Sequence, residues 1–202
     1  MGRDLGRALA VAATVVTLLI APAIAGPALV VKGDATAWTE VAAALGKLRT
    51  VRTYRFKASF SGSLVSTTEV VNPDRLRVVL HEGGLEAIQV GKQVRIREGS
   101  GPWQCGDEAI EMPKDNPAAM TGEVTAARGP AVTIDGVQSR SYTYSWKSAD
   151  VTTVSRLFVA AATGFPKRAQ YLAGKDVVMA QLDYFDFDAP ITITLPALPA
   201  CK

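Results

Sequence analysis

The sequence has few of the residues on which enzymes most often depend for chemistry. Its 202 residues include one histidine, His81, and two cysteines, Cys105 and Cys201. A Ser-His-Asp hydrolase would have to use His81, yet no Gly-x-Ser-x-Gly turn is present to supply the nucleophile. A zinc site needs more histidine or cysteine ligands than the chain holds, and no P-loop or dinucleotide-binding fingerprint occurs. We therefore expect no metal, no cofactor and no catalytic residue.

Charge of one sign is also scarce. The formal net charge is +3, and the basic residues are scattered along the chain. A nucleic-acid-binding protein usually concentrates its basic residues in a patch or stripe, so the sequence predicts no nucleic-acid partner. The length suits one domain, and a hydrophobic content of 48% is enough for a large core.

Residues 1–25 have the three parts of a secretory signal peptide. Arg3 and Arg7 supply a positive start, an uncharged apolar run follows, and small residues end the segment at Ala25. We predict cleavage after Ala25 and export to the periplasm or the extracellular space. The alternative is an uncleaved membrane anchor, but Pro22 and a later Gly-Pro pair interrupt the apolar run that a span requires.

After the signal peptide, we assign residues 26–33 to a leader and residues 34–202 to one domain, because no second linker or repeat divides them. The two cysteines predict a disulfide, since an exported pair most simply forms one. A Cys105–Cys201 bridge would stabilise the fold by about 4–5 kcal/mol in the chain-entropy model. The alternative, a redox pair, would require a Cys-x-x-Cys spacing that is absent.

One amphipathic helix is predicted over residues 36–49. Apolar residues recur there at helical spacing and form one stripe: Trp38, Val41, Ala42, Leu45 and Leu48. Asp34 or Thr36 can cap its first turn. A second, short helix or a covering loop is predicted over residues 113–130, with Gly129 just past the end of the helix.

After residue 50 the apolar period changes to two, which indicates antiparallel strands with one buried side. In residues 54–61, aromatic residues and alanine occupy the even positions, and arginine, lysine and serine the odd ones. Short strands of this kind continue towards the C-terminus, the last of them over residues 191–195. The predicted fold class is α+β, with a strongly curved antiparallel sheet and one or two helices.

The sheet positions predicted to face inward carry large apolar side chains. Together with Trp38 they form our candidate ligand-binding set: Tyr54, Phe56, Phe60, Leu76, Val78, Ile96, Tyr142, Tyr144 and Trp146. One interpretation is an ordinary core packed on the helix. The other is an apolar groove, the usual form of a small-molecule site, because a curved sheet of this length offers more apolar area than short helices cover. The sequence alone leaves both interpretations open.

The C-terminal stretch with Asp183, Asp186 and Asp188 also has two interpretations. Paired carboxylates could serve a hydrolase or hold a cation, although the stretch lacks the glycine of a calcium loop. We favour a structural role, in which the aromatic neighbours pack and the aspartates meet water or basic residues. In that case the residues up to Pro190 turn the chain into the last strand.

Several stretches point to a known family. They are the Trp-bearing helix after a signal peptide, the turn Thr163-Gly164-Phe165-Pro166-Lys167-Arg168, and the ending with Tyr184, Pro190 and Pro196. Together they resemble the LolA/LolB lipoprotein-carrier superfamily, especially its LppX/LprG lipid-carrying branch. The resemblance implies a half-barrel wrapped around one or two helices. It also implies an apolar cavity for acyl chains, with the inward aromatic residues as its lining and residues 113–130 as a lid.

The resemblance leads to two functional hypotheses. The first is an exported, non-enzymatic carrier or binder of lipid or of acylated lipoprotein, which makes transient contact with membrane surfaces. LppX and LprG proteins are anchored through a lipidated cysteine, which this chain lacks, and in that respect it is more similar to LolA. The second is an envelope sensor or protein-interaction module with the same fold and no lipid ligand. Its contact surface would consist of outward basic residues, which otherwise form a solvated surface: Arg55, Lys57, Arg75, Arg77, Arg95 and Arg97.

Overall fold

The structure is a computed structural model that describes residues 29–110, 117, 120–148, 151–174 and 176–198. The predicted signal peptide and Cys201 lie outside these residues. The described residues fall into two units. Unit 1 comprises those of 51–110 and 185–198, and unit 2 those of 29–50 and 117–184.

The described elements are one helix and twelve strands, which confirms the predicted α+β class. In chain order they are β1 (Val30–Gly33), α1 (Ala35–Thr50), β2 (Thr53–Phe60), β3 (Ser63–Val71), β4 (Arg75–Leu80), β5 (Leu85–Val90), β6 (Gln93–Glu98), β7 (Gln104–Cys105), β8 (Glu123–Ile134), β9 (Val137–Ser148), β10 (Val151–Ala160), β11 (Pro166–Ala173) and β12 (Val177–Phe185).

Helix α1 in unit 2 matches the predicted helix to within one residue at each end. Asp34 caps it, because its Oδ1 accepts a hydrogen bond from the backbone N–H of Ala37 at 3.0 Å. The buried residues form the expected stripe: Ala37, Trp38, Val41, Ala44, Leu45 and Leu48. Ala42 is half-buried. No helix in the described part of the chain is long and apolar enough to cross a membrane.

The strands of unit 2 lie in the order β1-β8-β9-β10-β11-β12. All neighbours are antiparallel except β1 and β8, which are parallel. The backbone N–H of Val30 donates to the carbonyl of Gly122 at 2.8 Å, where this parallel pairing begins. The predicted leader, residues 26–33, thus contributes its last four residues to the sheet.

The predicted helix over residues 113–130 is wrong from residue 123 onwards, where the chain forms strand β8. Val124 and Ala126 are buried and the residues between and after them are exposed, which is the period of a strand. Gly129 lies where the pairing with β9 slips, and a Cβ there would be 2.5 Å from the Ser141 hydroxyl oxygen. The glycine thus permits a close approach at a bulge and does not end a helix. The rest of the predicted segment is largely outside the described residues.

In unit 1 the strands lie in the order β2-β3-β4-β5-β6-β7, and each pairs antiparallel with the next. Tyr54, Phe56 and Ala58 are buried, as the alternation predicts. Phe60 is 40% exposed, so its predicted inward position is wrong. The pairing of β2 with β3 slips between Ala58 and Ser59, and this bulge breaks the alternation just before the hairpin turn.

The predicted last strand over residues 191–195 is absent from the described chain, which follows β12 to residue 198 without a regular element. Asp186 and Asp188 have φ angles of 53° and 56°, a left-handed conformation that aspartate adopts more readily than most residues. These two residues turn the backbone away from the strand conformation. The segment is held by single contacts, such as the bond from the Thr53 hydroxyl to the carbonyl of Ala189 at 2.6 Å.

Replacement of Asp34 by alanine should lower the free energy of unfolding by about 1 kcal/mol, because the cap of α1 is lost. Asp34→Asn keeps an acceptor oxygen and is the matched control. Urea unfolding followed by circular dichroism measures both variants. Equal stability of Asp34→Ala and the original protein would contradict this role.

A candidate ligand-binding face

The buried side of β2–β6 in unit 1 is a continuous apolar surface, which we call the apolar face. Cross-strand pairing brings its members together: Tyr54, Phe56, Ala58, Ser66, Thr68, Val70, Leu76, Val78, Leu80, Leu85, Ala87, Gln89, Val94 and Ile96. All of them are buried except Val78, which is half-buried. None is charged, and at the β5–β6 end Ile110 packs against Ala87, Val94 and Ile96, so that part of the face belongs to the core.

Val78, in the middle of β4, is the half-buried member of the apolar face. Its partners across the sheet are Thr68 on β3 and Ala87 on β5. Small side chains lie nearby, since Ser66, two residues before Thr68 on β3, pairs with Ala58 on β2.

The structure divides the sequence-predicted ligand set between the two units. The apolar face contains Tyr54, Phe56, Leu76, Val78 and Ile96, and unit 2 contains Trp38, Tyr142, Tyr144 and Trp146. Sequence reasoning missed the small and polar members of the face, Ser66, Thr68 and Ala87. Their period-two spacing from Val70 and Leu85 is the signal that could have found them.

In unit 2 the contacts favour the core interpretation. The ring of Trp38 on α1 lies 5.9 Å from the ring of Tyr144 on β9, centroid to centroid. The Tyr142 hydroxyl donates to the Glu40 carboxylate, and burial, with this bond, raises the pKa of Tyr142 above its ordinary value. The indole N–H of Trp146 donates to a backbone carbonyl at 2.8 Å. Tyr142 and Tyr144 thus join β9 to α1, and Trp146 joins β9 to Thr121, just before β8.

The outward side of unit 1 carries a ladder of alternating charges, which we call the ion ladder. It consists of Asp186, Arg55, Glu69, Arg77, Glu86 and Arg97. Consecutive N···O distances lie between 2.5 and 3.4 Å. At its end, the Arg97 guanidinium lies 4.6 Å from the centroid of the Trp103 ring. The ladder is electrically neutral and crosses five strands.

Glu86 is the most buried member of the ion ladder, with a side chain that is 9% exposed. Burial alone raises the pKa of Glu86, but hydrogen bonds from Arg77 and Arg97 outweigh that effect and hold the pKa below its ordinary value. The carboxylate therefore stays ionised and binds two guanidinium groups. The bond from Arg77 joins β4 to β5, and the bond from Arg97 joins β6 to β5.

The predicted basic contact surface is largely occupied by contacts within the chain. Arg55, Arg77 and Arg97 are ladder members. Arg75 donates to the carbonyl of Ile193 at 3.1 Å. Lys57 lies over the ring of Phe185. Arg95 is buried. These residues therefore do not form a patch of unpaired positive charge.

The aspartates near the C-terminus have structural partners. Asp183 accepts from Arg168 at 2.5 Å, and Asp186 from Arg55. Asp188 accepts from the backbone N–H of Arg52 at 3.0 Å. The favoured sequence interpretation, that basic residues meet these acids, is confirmed for the first two. Within the described residues no group of three or more potential metal ligands occurs.

Cys105 lies in β7, opposite Arg95 of β6. Its predicted partner, Cys201, lies outside the described residues, so the pairing stays a prediction.

The comparison with solved structures finds proteins of similar fold. No protein-family profile matches the chain, and no curated protein matches it. Among solved structures it is similar to the lipoprotein LppX of Mycobacterium tuberculosis, with 14% identity, a TM-score of 0.62 and coverage of 80% of this chain and 100% of that one. LprF from Mycobacterium bovis gives 12% identity, a TM-score of 0.61 and coverage of 82% and 99%.

A third similar structure is the MucA/MucB complex of Pseudomonas aeruginosa, with 18% identity and a TM-score of 0.52. This chain is covered to 82%, and it spans 59% of the matched chain. These likenesses confirm the LppX-like fold that the sequence resemblance predicted. At such identities they show the fold alone.

Glu86→Gln should lower the free energy of unfolding at pH 7 by about 2 kcal/mol, because a carboxylate that accepts charged hydrogen bonds is lost. The pKa of Glu86 is lower in the folded than in the unfolded chain, so its stabilisation is present at neutral pH and disappears as the pH falls through the folded value. The difference between variant and original protein should therefore shrink at pH 3.

The matched control is Glu98→Gln, an exposed glutamate at the end of β6 outside the ladder. Urea titrations at both pH values measure the effect. An equal deficit of Glu86→Gln at pH 7 and pH 3 would show that the ionised carboxylate is not the cause.

Proposed function

We propose that the protein is an exported, non-enzymatic carrier or binder of acyl chains, from lipids or acylated lipoproteins, and that the apolar face is its binding surface. The observation that carries the proposal is an apolar face without charged residues, in the middle of which Val78 is half-buried. The fold shared with LprF and with LppX, which is described as a lipoprotein, supports it. Export follows from the predicted signal peptide.

Binding of this kind needs no reactive group. Each methylene transferred from water to an apolar surface contributes about 0.8 kcal/mol, so a long acyl chain has ample driving force before the cost of its ordering is subtracted. Among the predicted ligand residues, we assign Tyr54, Phe56, Leu76 and Val78 to ligand contact, whereas Ile96 belongs to a buried cluster against which Ile110 packs. The aromatic residues of unit 2 are assigned to packing, since Trp38 and Tyr142 contact their own neighbours in that unit.

A second candidate function is an envelope sensor or protein-interaction module. The likeness to the MucA/MucB complex favours it, because that structure contains two proteins bound to each other. The pairing of Arg55, Arg77 and Arg97 within the ion ladder argues against a basic contact surface on the outward side of unit 1. A protein partner would therefore have to use another surface.

Native mass spectrometry of the protein purified from its own envelope should show an adduct of lipid mass, which organic extraction removes. Extraction followed by lipid analysis identifies the bound class. A clean apo mass, with no uptake of a pyrene-labelled acyl ester from vesicles, would contradict the carrier function. Capture of a stoichiometric protein partner without lipid would instead support the second candidate.

Val78→Trp should reduce uptake of the same acyl ester about tenfold, because the larger ring fills the half-buried position in the middle of the apolar face. Val79→Trp is the matched control, since the neighbouring residue lies on the outward side of the same strand. Fluorescence titration measures uptake, and thermal unfolding verifies that both variants fold. Unchanged uptake by a folded Val78→Trp variant would place the ligand elsewhere.

A further inference from the structure

Arg95, in β6, carries a buried charge that no acidic side chain compensates. The residue is 5% exposed, and its Nη1 donates only to the backbone carbonyl of Val94, at 3.1 Å. Its Nε is buried without a hydrogen-bond partner, and within the described part of the chain Arg95 takes part in no ion pair. A buried charge without a counter-ion is strongly disfavoured. The guanidinium is therefore a site at which an anion would be stabilised.

The neighbours of Arg95 across the sheet are Ile88 on β5 and Cys105 on β7. Of the two, only Cys105 can become an anion. Cross-strand partners project to the same side of a sheet, with Cβ atoms about 5 Å apart. The carbonyl of Val94 that accepts from Arg95 also accepts from the backbone N–H of Gly106, the residue after Cys105, at 3.1 Å. The guanidinium thus lies beside the Cys105–Gly106 peptide.

The exposure of the two partners differs in a way that suits a reactive sulfur. Cys105 is exposed, so a dissolved reagent can reach it. Arg95 is buried, so water and salt screen its charge only weakly. Reactive cysteines are typically found in such positions, partly exposed and beside a cation that stabilises the thiolate.

The other charges near Cys105 do not cancel that of Arg95. Arg97, two residues along β6, is bound by Glu86 of β5, so this pair adds little net charge. The acids that follow β7, Asp107 and Glu108, are exposed, and solvent screens them. The field at the Cys105 sulfur is therefore positive.

We propose that Cys105, in its reduced state, is a reactive thiol that exchanges with disulfides, and that its thiolate is the counter-ion of Arg95. The thiolate sulfur attacks one sulfur of a disulfide R–S–S–R. A mixed disulfide forms, the original S–S bond breaks, and the departing thiolate takes a proton from water. Attack by Cys201, the predicted partner, would then release the second thiol and close the predicted bridge, with two thiols oxidised and one disulfide reduced.

This role needs no Cys-x-x-Cys motif, because the guanidinium of Arg95 supplies the charge that stabilises the thiolate. It is also independent of acyl-chain binding. The same charge would favour Cys105 as the leaving sulfur when a dithiol reductant opens the bridge, since a more stable thiolate leaves faster.

Alkylation of the reduced full chain tests the proposal. The chain is reduced, freed of reductant and treated with iodoacetamide between pH 5 and pH 10, and mass spectrometry of the Cys105 peptide gives the rate. The midpoint of the rate against pH should lie about one pH unit below that of the same chain unfolded in urea. Arg95→Gln should raise the midpoint of the folded chain by about one pH unit. The control is Lys92→Gln, an exposed lysine before β6, which should leave the midpoint unchanged.

Arg95→Lys keeps the charge and should retain a lowered midpoint, which provides a second variant should Arg95→Gln fail to fold. With glutathione disulfide at pH 7, the original chain should form the mixed disulfide at Cys105 about threefold faster than Arg95→Gln. Equal midpoints in the folded and the urea-unfolded original chain would overturn the inference without any variant. An unchanged midpoint in folded Arg95→Gln would overturn it as well.

Discussion

The register of β2–β6 is the constraint on which both sides of unit 1 depend. Side chains alternate between the two sides of a strand, so a slip of one residue would carry ladder charges onto the apolar face. The pairing that sets Glu69 opposite Arg77 also sets Val70 opposite Leu76. Charge pairing and apolar burial therefore specify the same alignment, and each makes alternative registers unfavourable.

Much of this arrangement follows from the sequence because the alternation in β2, β4 and β6 is strong. Helix α1 is equally clear, since its stripe and its Asp34 cap are local features. Strand β8 was misassigned because alanine, threonine and glycine give no decisive period. Phe60 was predicted on the wrong side of β2 because a bulge inserts one residue, and the alternation of residue types does not reveal a bulge. The alternation of residues 191–195 predicts a strand, but a strand also needs a neighbouring strand to pair with, which alternation alone does not reveal.

The candidate site was less predictable than the fold. Large apolar residues can line a cavity or fill a core, and only their neighbours separate the two roles. Tyr142 is held by Glu40, which is 102 residues away in the sequence. The buried position of Thr68 depends on the pairing of three strands, and a threonine between polar residues equally suits a solvated side. The role of these side chains therefore depends on their position in the fold and not on their residue type.

The short strand β1 has a consequence for how the domain is attached to whatever precedes it. Its first sheet hydrogen bond is made by Val30, and cleavage after Ala25 would leave only residues 26–29 ahead of that bond. Fully extended, this stub reaches at most about 15 Å. A fusion tag placed at the new amino terminus would thus sit beside the first residues of β1, the outer strand of unit 2, unless a spacer were added. An uncleaved anchor would be subject to the same short tether and would hold unit 2 close to the bilayer.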